Sequence, residues 1–142
     1  MKSSEKPKSI LWANRFFLVA TLIQIINILV HYGVLRDRAI SDGSSAAGPM
    51  LGIIAVGLYY ILFGFFIYRR GSNIAKWVVV AITAGSVISL GINMPEVIAI
   101  GTAYAFADGI SFVLQITAVG MLFRQDAVDW LKPVARMKRH EG

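Results

Sequence analysis

Four apolar runs, over about 11–35, 49–68, 76–93 and 97–123, take up most of a 142-residue chain, and each is long enough to cross a hydrocarbon core of ~30 Å as a helix. Inside lipid the backbone must satisfy its own hydrogen bonds, which restricts a spanning chain to helices or closed barrels. The runs lack the period-two alternation of barrel strands, so helices are expected. The expected fold is an all-α membrane protein: a four-transmembrane-helix antiparallel bundle forming one domain over residues 1–142. Hydrophobic residues make up 56% of the chain, with a mean hydropathy of +0.65. The stretch from Arg124 to Gly142, the longest outside the runs, is too short to bury a core of its own.

Orientation follows from the charges. Of the 14 Lys and Arg, all except Arg36 and Arg38 flank the runs on the side of the N-terminus. They are Lys2, Lys6, Lys8 and Arg15, then Arg69, Arg70 and Lys76, then Arg124, Lys132, Arg136, Lys138 and Arg139. Positive residues are retained on the cytoplasmic side, so both termini are expected there. A basic start before an apolar run resembles a secretory signal, but this run is too long and no small-residue cleavage site follows, so it is read as a retained span. The net charge of +6 then lies along one membrane face, where anionic lipid headgroups are the nearest partner and nucleic acid is not expected. With no cysteine, disulfides, thiolate metal sites and dithiol relays to quinones are excluded.

Local signals set the boundaries. Residues 36–48 read as a loop, Pro49 as a first-turn residue, residues 69–73 as a tight polar turn, and Met94-Pro95-Glu96 as the stop of the third run, because the residue before a proline avoids helical geometry. The fourth run exceeds what a bilayer requires, so it must tilt, project outward or bend near Gly101 or Gly109. After it, Ala127, Trp130, Leu131 and Val134 keep helical spacing in a segment interrupted at Pro133, which reads as an amphipathic segment in the cytoplasmic interface or, alternatively, as a continuation without membrane contact. Small residues recur at i, i+4, i+8 in Ala81, Gly85 and Ser89 and again in Gly101, Ala105 and Gly109. Such faces let helices approach closely, so the third and fourth spans are expected to pack through them, with homo-oligomerisation as the alternative use.

Chemistry is carried by polar stripes. Tyr104, Asp108, Ser111 and Gln115 fall within roughly 60° of one another on a helix. Thr21, Gln24, Asn27 and His31 form a second stripe, and Thr83, Ser86, Ser89 and Asn93 a third. At ~1.5 Å per residue from the cytoplasmic ends, Asn27, His31, Asn93 and Asp108 all lie in the outer half of the bilayer. Two uses are open: interhelical hydrogen bonding, or a ligand pocket of His31, Asn27, Gln24, Asn93, Tyr104, Asp108, Ser111 and Gln115 opening outward. An Asp108–His31 ion pair is expected in the second case. A lone intramembrane histidine rules out bis-histidine haem within one subunit, and no metal or other cofactor is expected. No nucleophile is aligned with a base by spacing alone, so catalysis ranks behind binding and transport.

The exit of the fourth run, Phe123-Arg124-Gln125-Asp126-Ala127-Val128-Asp129-Trp130-Leu131, resembles that of small four-span bacterial inner-membrane proteins of unknown role. The resemblance implies a multi-pass bacterial inner-membrane location and no activity. The trimeric glutathione-using four-span enzymes are of similar length, but their Arg and Glu constellation has no counterpart in the second run. The expected function is therefore binding, as an accessory or interaction subunit with a membrane-protein partner or a second copy of itself; small-solute, ion or proton transport is the alternative.

Overall fold

The computed structural model describes residues 5–131. Lys2, Lys132, Pro133, Val134, Arg136, Lys138, Arg139 and His140 lie outside the described residues. The elements are α1 (Lys8–Val30), α2 (Tyr32–Ser41), α3 (Gly48–Ile61) running on into a π-helical segment (Leu62–Arg69), α4 (Asn73–Ile92), α5 (Met94–Ile100), α6 (Thr102–Met121) and α7 (Gln125–Leu131). The described chain is all helical, and four helices are long and apolar enough to cross a membrane: α1, α3 with its π segment, α4 and α6. Leu22, Ile26, Leu51, Leu58, Ile88, Phe106 and Val113 stand exposed along them. Apolar surface of this extent is sustained by lipid or a partner, not by water.

One boundary differs from expectation, and at two others the structure shows how the break is made. The first run does not end at 35: α1 stops at Val30, and α2 carries helix through the expected loop to Ser41. His31 makes the break, because its ring nitrogen Nδ1 lies 3.0 Å from the Asn27 carbonyl that its own N–H also contacts at 3.2 Å. A side chain inserted into the hydrogen-bond ladder in this way bends a helix without ending it. The third run ends at Asn93, as expected, but Pro95 sits in the first turn of α5 and starts that helix. The fourth run bends at Gly101, where extended backbone (φ 158°, ψ 146°) separates α5 from α6.

The hydrophobic core gathers at the end where the basic residues lie. It joins Ile10, Ala13 and Phe17 of α1, Phe63 and Ile67 of the π segment, Val79 of α4, Leu122 after α6, and Ala127 and Leu131 of α7. Phe17 stacks on Phe63 with ring centroids 4.2 Å apart and meets Tyr59 edge-on at 4.9 Å. The π segment is bonded i to i+5, Arg70 N–H to Phe65 carbonyl at 3.2 Å, and it turns both Phe63 and Ile67 fully inward. For α7 two readings were open, an interfacial segment and a continuation away from the membrane. Instead its apolar face closes this end of the protein, while Asp126 accepts hydrogen bonds from the Ser9 hydroxyl (2.7 Å) and amide (3.3 Å). Those two donors hold the Asp126 carboxyl below the usual carboxylate range, the hydroxyl foremost.

Candidate functional site

Away from this core, towards His31 and Asn93, the helices meet through polar groups. The most extensive helix contact joins α1 to α6. Buried Asn27 donates from Nδ2 to the Tyr104 carbonyl at 3.1 Å, the His31 ring stands edge-on to Tyr104 at 5.2 Å, and Gln115 Nε2 donates to Gln24 Oε1 at 2.9 Å. Five of the eight residues expected to form a pocket thus lie together in a direct α1–α6 contact. Ser111, fully buried, satisfies its hydroxyl within α6 on the Ala107 carbonyl at 3.0 Å.

The other two, Asn93 and Asp108, face elsewhere. They line a cleft of about 480 Å³ between α4, α5 and α6, together with Ser86, Ser89, Leu90 and Phe112. Among the described residues no ion pair joins Asp108 to His31. The two helices register so that Tyr104, one turn earlier, meets the imidazole. Four residues at 100° leave Asp108 rotated about 40° from Tyr104, enough to turn it from α1 towards α4.

A smaller cavity of about 180 Å³ adjoins the cleft, sharing Ile82, Ser86 and Phe112 with it and bounded further in by Gln24, Gln115 and Tyr59. Its floor is made by the Tyr59 hydroxyl, which donates to the Val79 carbonyl at 3.1 Å and also bonds the Thr83 hydroxyl, and by the Phe17–Phe63 stack beneath. Tyr59 and Phe112 were not among the residues picked from the sequence. Tyr59 did carry a signal: a hydroxyl in the middle of an aliphatic run must find a partner when buried. Phe112 carried none, since one phenylalanine in an apolar helix is indistinguishable from a lipid-facing one.

The small-residue faces do not make the close approach expected of them. A Cβ built on Gly85, Gly101 or Gly109 would meet nothing within 4 Å, and Ala81 and Ser89 are exposed. Gly85 and Ser89 instead widen the polar cleft, while Ala105 and Gly109 lie in an apolar groove on α6 with Phe106 and Val113. The physical reason is competition: α6 has given its polar, well-bonded face to α1, and α4 touches it only sparsely, which leaves the cleft. The chain matches no protein-family model, no curated protein and no solved structure.

Proposed function

We propose that this is a small multi-pass protein of the bacterial inner membrane, an antiparallel four-helix bundle with both termini in the cytoplasm, that works by binding through a polar pocket in the outer half of the bilayer. The observation that carries the reading is the cleft of Asp108, Asn93, Ser86 and Ser89, an ionisable side chain and three neutral polar ones against a wall of Leu90, Val97 and Phe112. Groups needed only as helix glue would bond across the helix contact, as Gln24 and Gln115 do. The Asp108 carboxyl makes no side-chain hydrogen bond or ion pair among the described residues, and an intramembrane acid of this kind is a functional group by default. The aromatic floor at Phe17, Tyr59 and Phe63 favours a closed pocket over a through-channel. An accessory or interaction subunit fits such a pocket, with lipid, a membrane-protein partner or a second copy around it.

Transport of a small solute, ion or proton is the second reading, favoured by the adjoining cavity that extends the polar track from Ser86 to Gln24 and Gln115. With no native cysteine, single-cysteine variants test orientation and pocket together. A membrane-impermeant thiol reagent outside intact cells is expected to label Ser44→Cys and Ser89→Cys and to leave Ser72→Cys and the buried Thr21→Cys unmodified. Labelling at Ser72 inverts the orientation, and silence at Ser89 removes the pocket.

A further inference from the structure

We propose that the cleft between α4 and α6 takes an organic monocation, a protonated amine with an apolar body, and that Asp108 is the counter-charge that selects it. The proposal rests on the pocket reading above and adds the chemical class of the ligand. Three observations point there. The first is charge: Asp108 is the ionisable group in the lining, whereas the described arginines of the opposite end, Arg15, Arg69, Arg70 and Arg124, lie beyond the aromatic floor. At this end Arg38 donates from Nη1 to the Glu96 carbonyl at 3.2 Å and stands outside the lining, so the charge within the cleft itself is the carboxylate, which disfavours an anion.

The second is the direction of the hydrogen bonds. Ser86 Oγ donates its proton to the Ile82 carbonyl at 2.9 Å. The Asn93 amide donates to the Ser89 carbonyl at 2.8 Å and to Ser89 Oγ at 3.2 Å. The donors of Ser86 and Asn93 are engaged within α4 and its C-terminal end, so these two turn oxygen lone pairs to the cleft, while the Ser89 hydroxyl accepts from Asn93 and keeps its own proton. An acceptor-rich lining beside a carboxylate suits N–H donors on a positive centre and offers little to a carboxylate or phosphate.

The third is the apolar wall. Phe112 borders both cavities, with Leu90 and Val97 beside the larger one. A phenyl face next to a carboxylate is attractive to a cation and to a hydrocarbon body, and repels neither. The combined ligand is amphipathic. A hydrated metal ion would leave this wall unused, and a neutral hydrocarbon would leave the carboxylate desolvated without compensation.

Three probes share one body and differ in charge: 2-phenylethylammonium, propylbenzene and 3-phenylpropanoate. Binding of each to the purified protein in nanodiscs of zwitterionic lipid is measured by calorimetry against protein-free discs at neutral pH. The ammonium is expected to bind saturably and at least about tenfold more tightly than either of the others, a difference of about 1.4 kcal/mol. Asp108→Asn, nearly isosteric, is expected to weaken the ammonium about tenfold and to abolish its advantage over propylbenzene. The comparison among probes uses the native chain, so it stands even if the variant misfolds. Equal binding of ammonium and propylbenzene, or an unchanged ammonium affinity in folded Asp108→Asn, overturns the cation proposal and leaves the pocket standing. Binding of none of the three by a protein whose Ser89→Cys variant is labelled does the same. Absence of that labelling overturns pocket and cation together.

Discussion

Gly71 is the residue whose replacement by alanine the structure condemns most directly. It lies between the π segment and the Ser72 cap of α4 with φ +62°, in the left-handed region. A side chain in that conformation costs ~1–2 kcal/mol, because Cβ crowds the following carbonyl. The added methyl would also stand 3.1 Å from Cζ3 and 3.3 Å from Cη2 of Trp130. The indole is rigid and packed on the core, so it must shift bodily, and overpacking of this kind adds ~1–3 kcal/mol. Gly71→Ala should therefore lower stability by about 2–5 kcal/mol, measured by thermal or denaturant unfolding of the purified protein in mild detergent. Gly57→Ala is the control, since nothing lies within 4 Å of the position on α3, and it should be neutral or gain up to ~1 kcal/mol in helix propensity. Placing Gly71→Ala in a Trp130→Ala background separates the two costs. Backbone strain survives there and the ring contact does not, so the loss should fall to ~1–2 kcal/mol. A Gly71→Ala protein as stable as the native one would refute the reasoning; an undiminished loss in the Trp130→Ala background would refute the ring contact alone.

The amide pair between α1 and α6 should appear in a double-mutant cycle of Gln24→Leu and Gln115→Leu as a coupling of ~0.6–2 kcal/mol, and a coupling of zero would show that the 2.9 Å contact does not hold the helices. At the opposite end, the Asp126 carboxyl is held below its ordinary value by Ser9, so its stabilising contribution is present above the unfolded carboxylate pKa of ~3.9 and is lost as pH falls through the lower folded value. Comparing Asp126→Asn with the native chain in detergent should give a small deficit at pH 7 that vanishes towards pH 2. The exposure of Asp126 keeps it small, and a deficit independent of pH would contradict the mechanism.

The number and approximate placement of the long helices were legible because lipid imposes a length and an all-internal hydrogen-bond rule on any spanning segment. The polar stripes were legible for the same reason, and Gln24, Asn27, Tyr104 and Gln115 do meet. What periodicity does not encode is rotation between helices. Asp108 and Tyr104 share one stripe, yet α1 reads Tyr104 and the cleft reads Asp108. A tolerance of tens of degrees in a helical wheel is enough to join them in sequence and part them in space. Gly85 and Gly109 mislead in a related way, because a small residue permits close approach but does not compel it. The π segment left no mark at all: Leu62–Arg69 reads as ordinary helix, and its wider turn comes from satisfying Phe63 and Ile67 at once against the partners they meet.

The extended link at Gly101 has a consequence for the lipid around the protein. Had residues 97–123 formed one rod of about 27 residues, it would have reached roughly 40 Å, some 10 Å more than a hydrocarbon slab of ~30 Å. A mismatch of that size costs fractions of a kcal/mol for every ångström, taken up by thickening the annular lipid or tilting the helix. By folding α5 off, the chain leaves α6 with 20 residues, the same as α4. Two of the apolar helices are thus cut to one height, about 30 Å, and present a belt that a bilayer of ordinary thickness can meet undeformed. The cleft between them is then flanked by helices matched to that belt, so a molecule that reaches it does so through surroundings the protein has not had to deform.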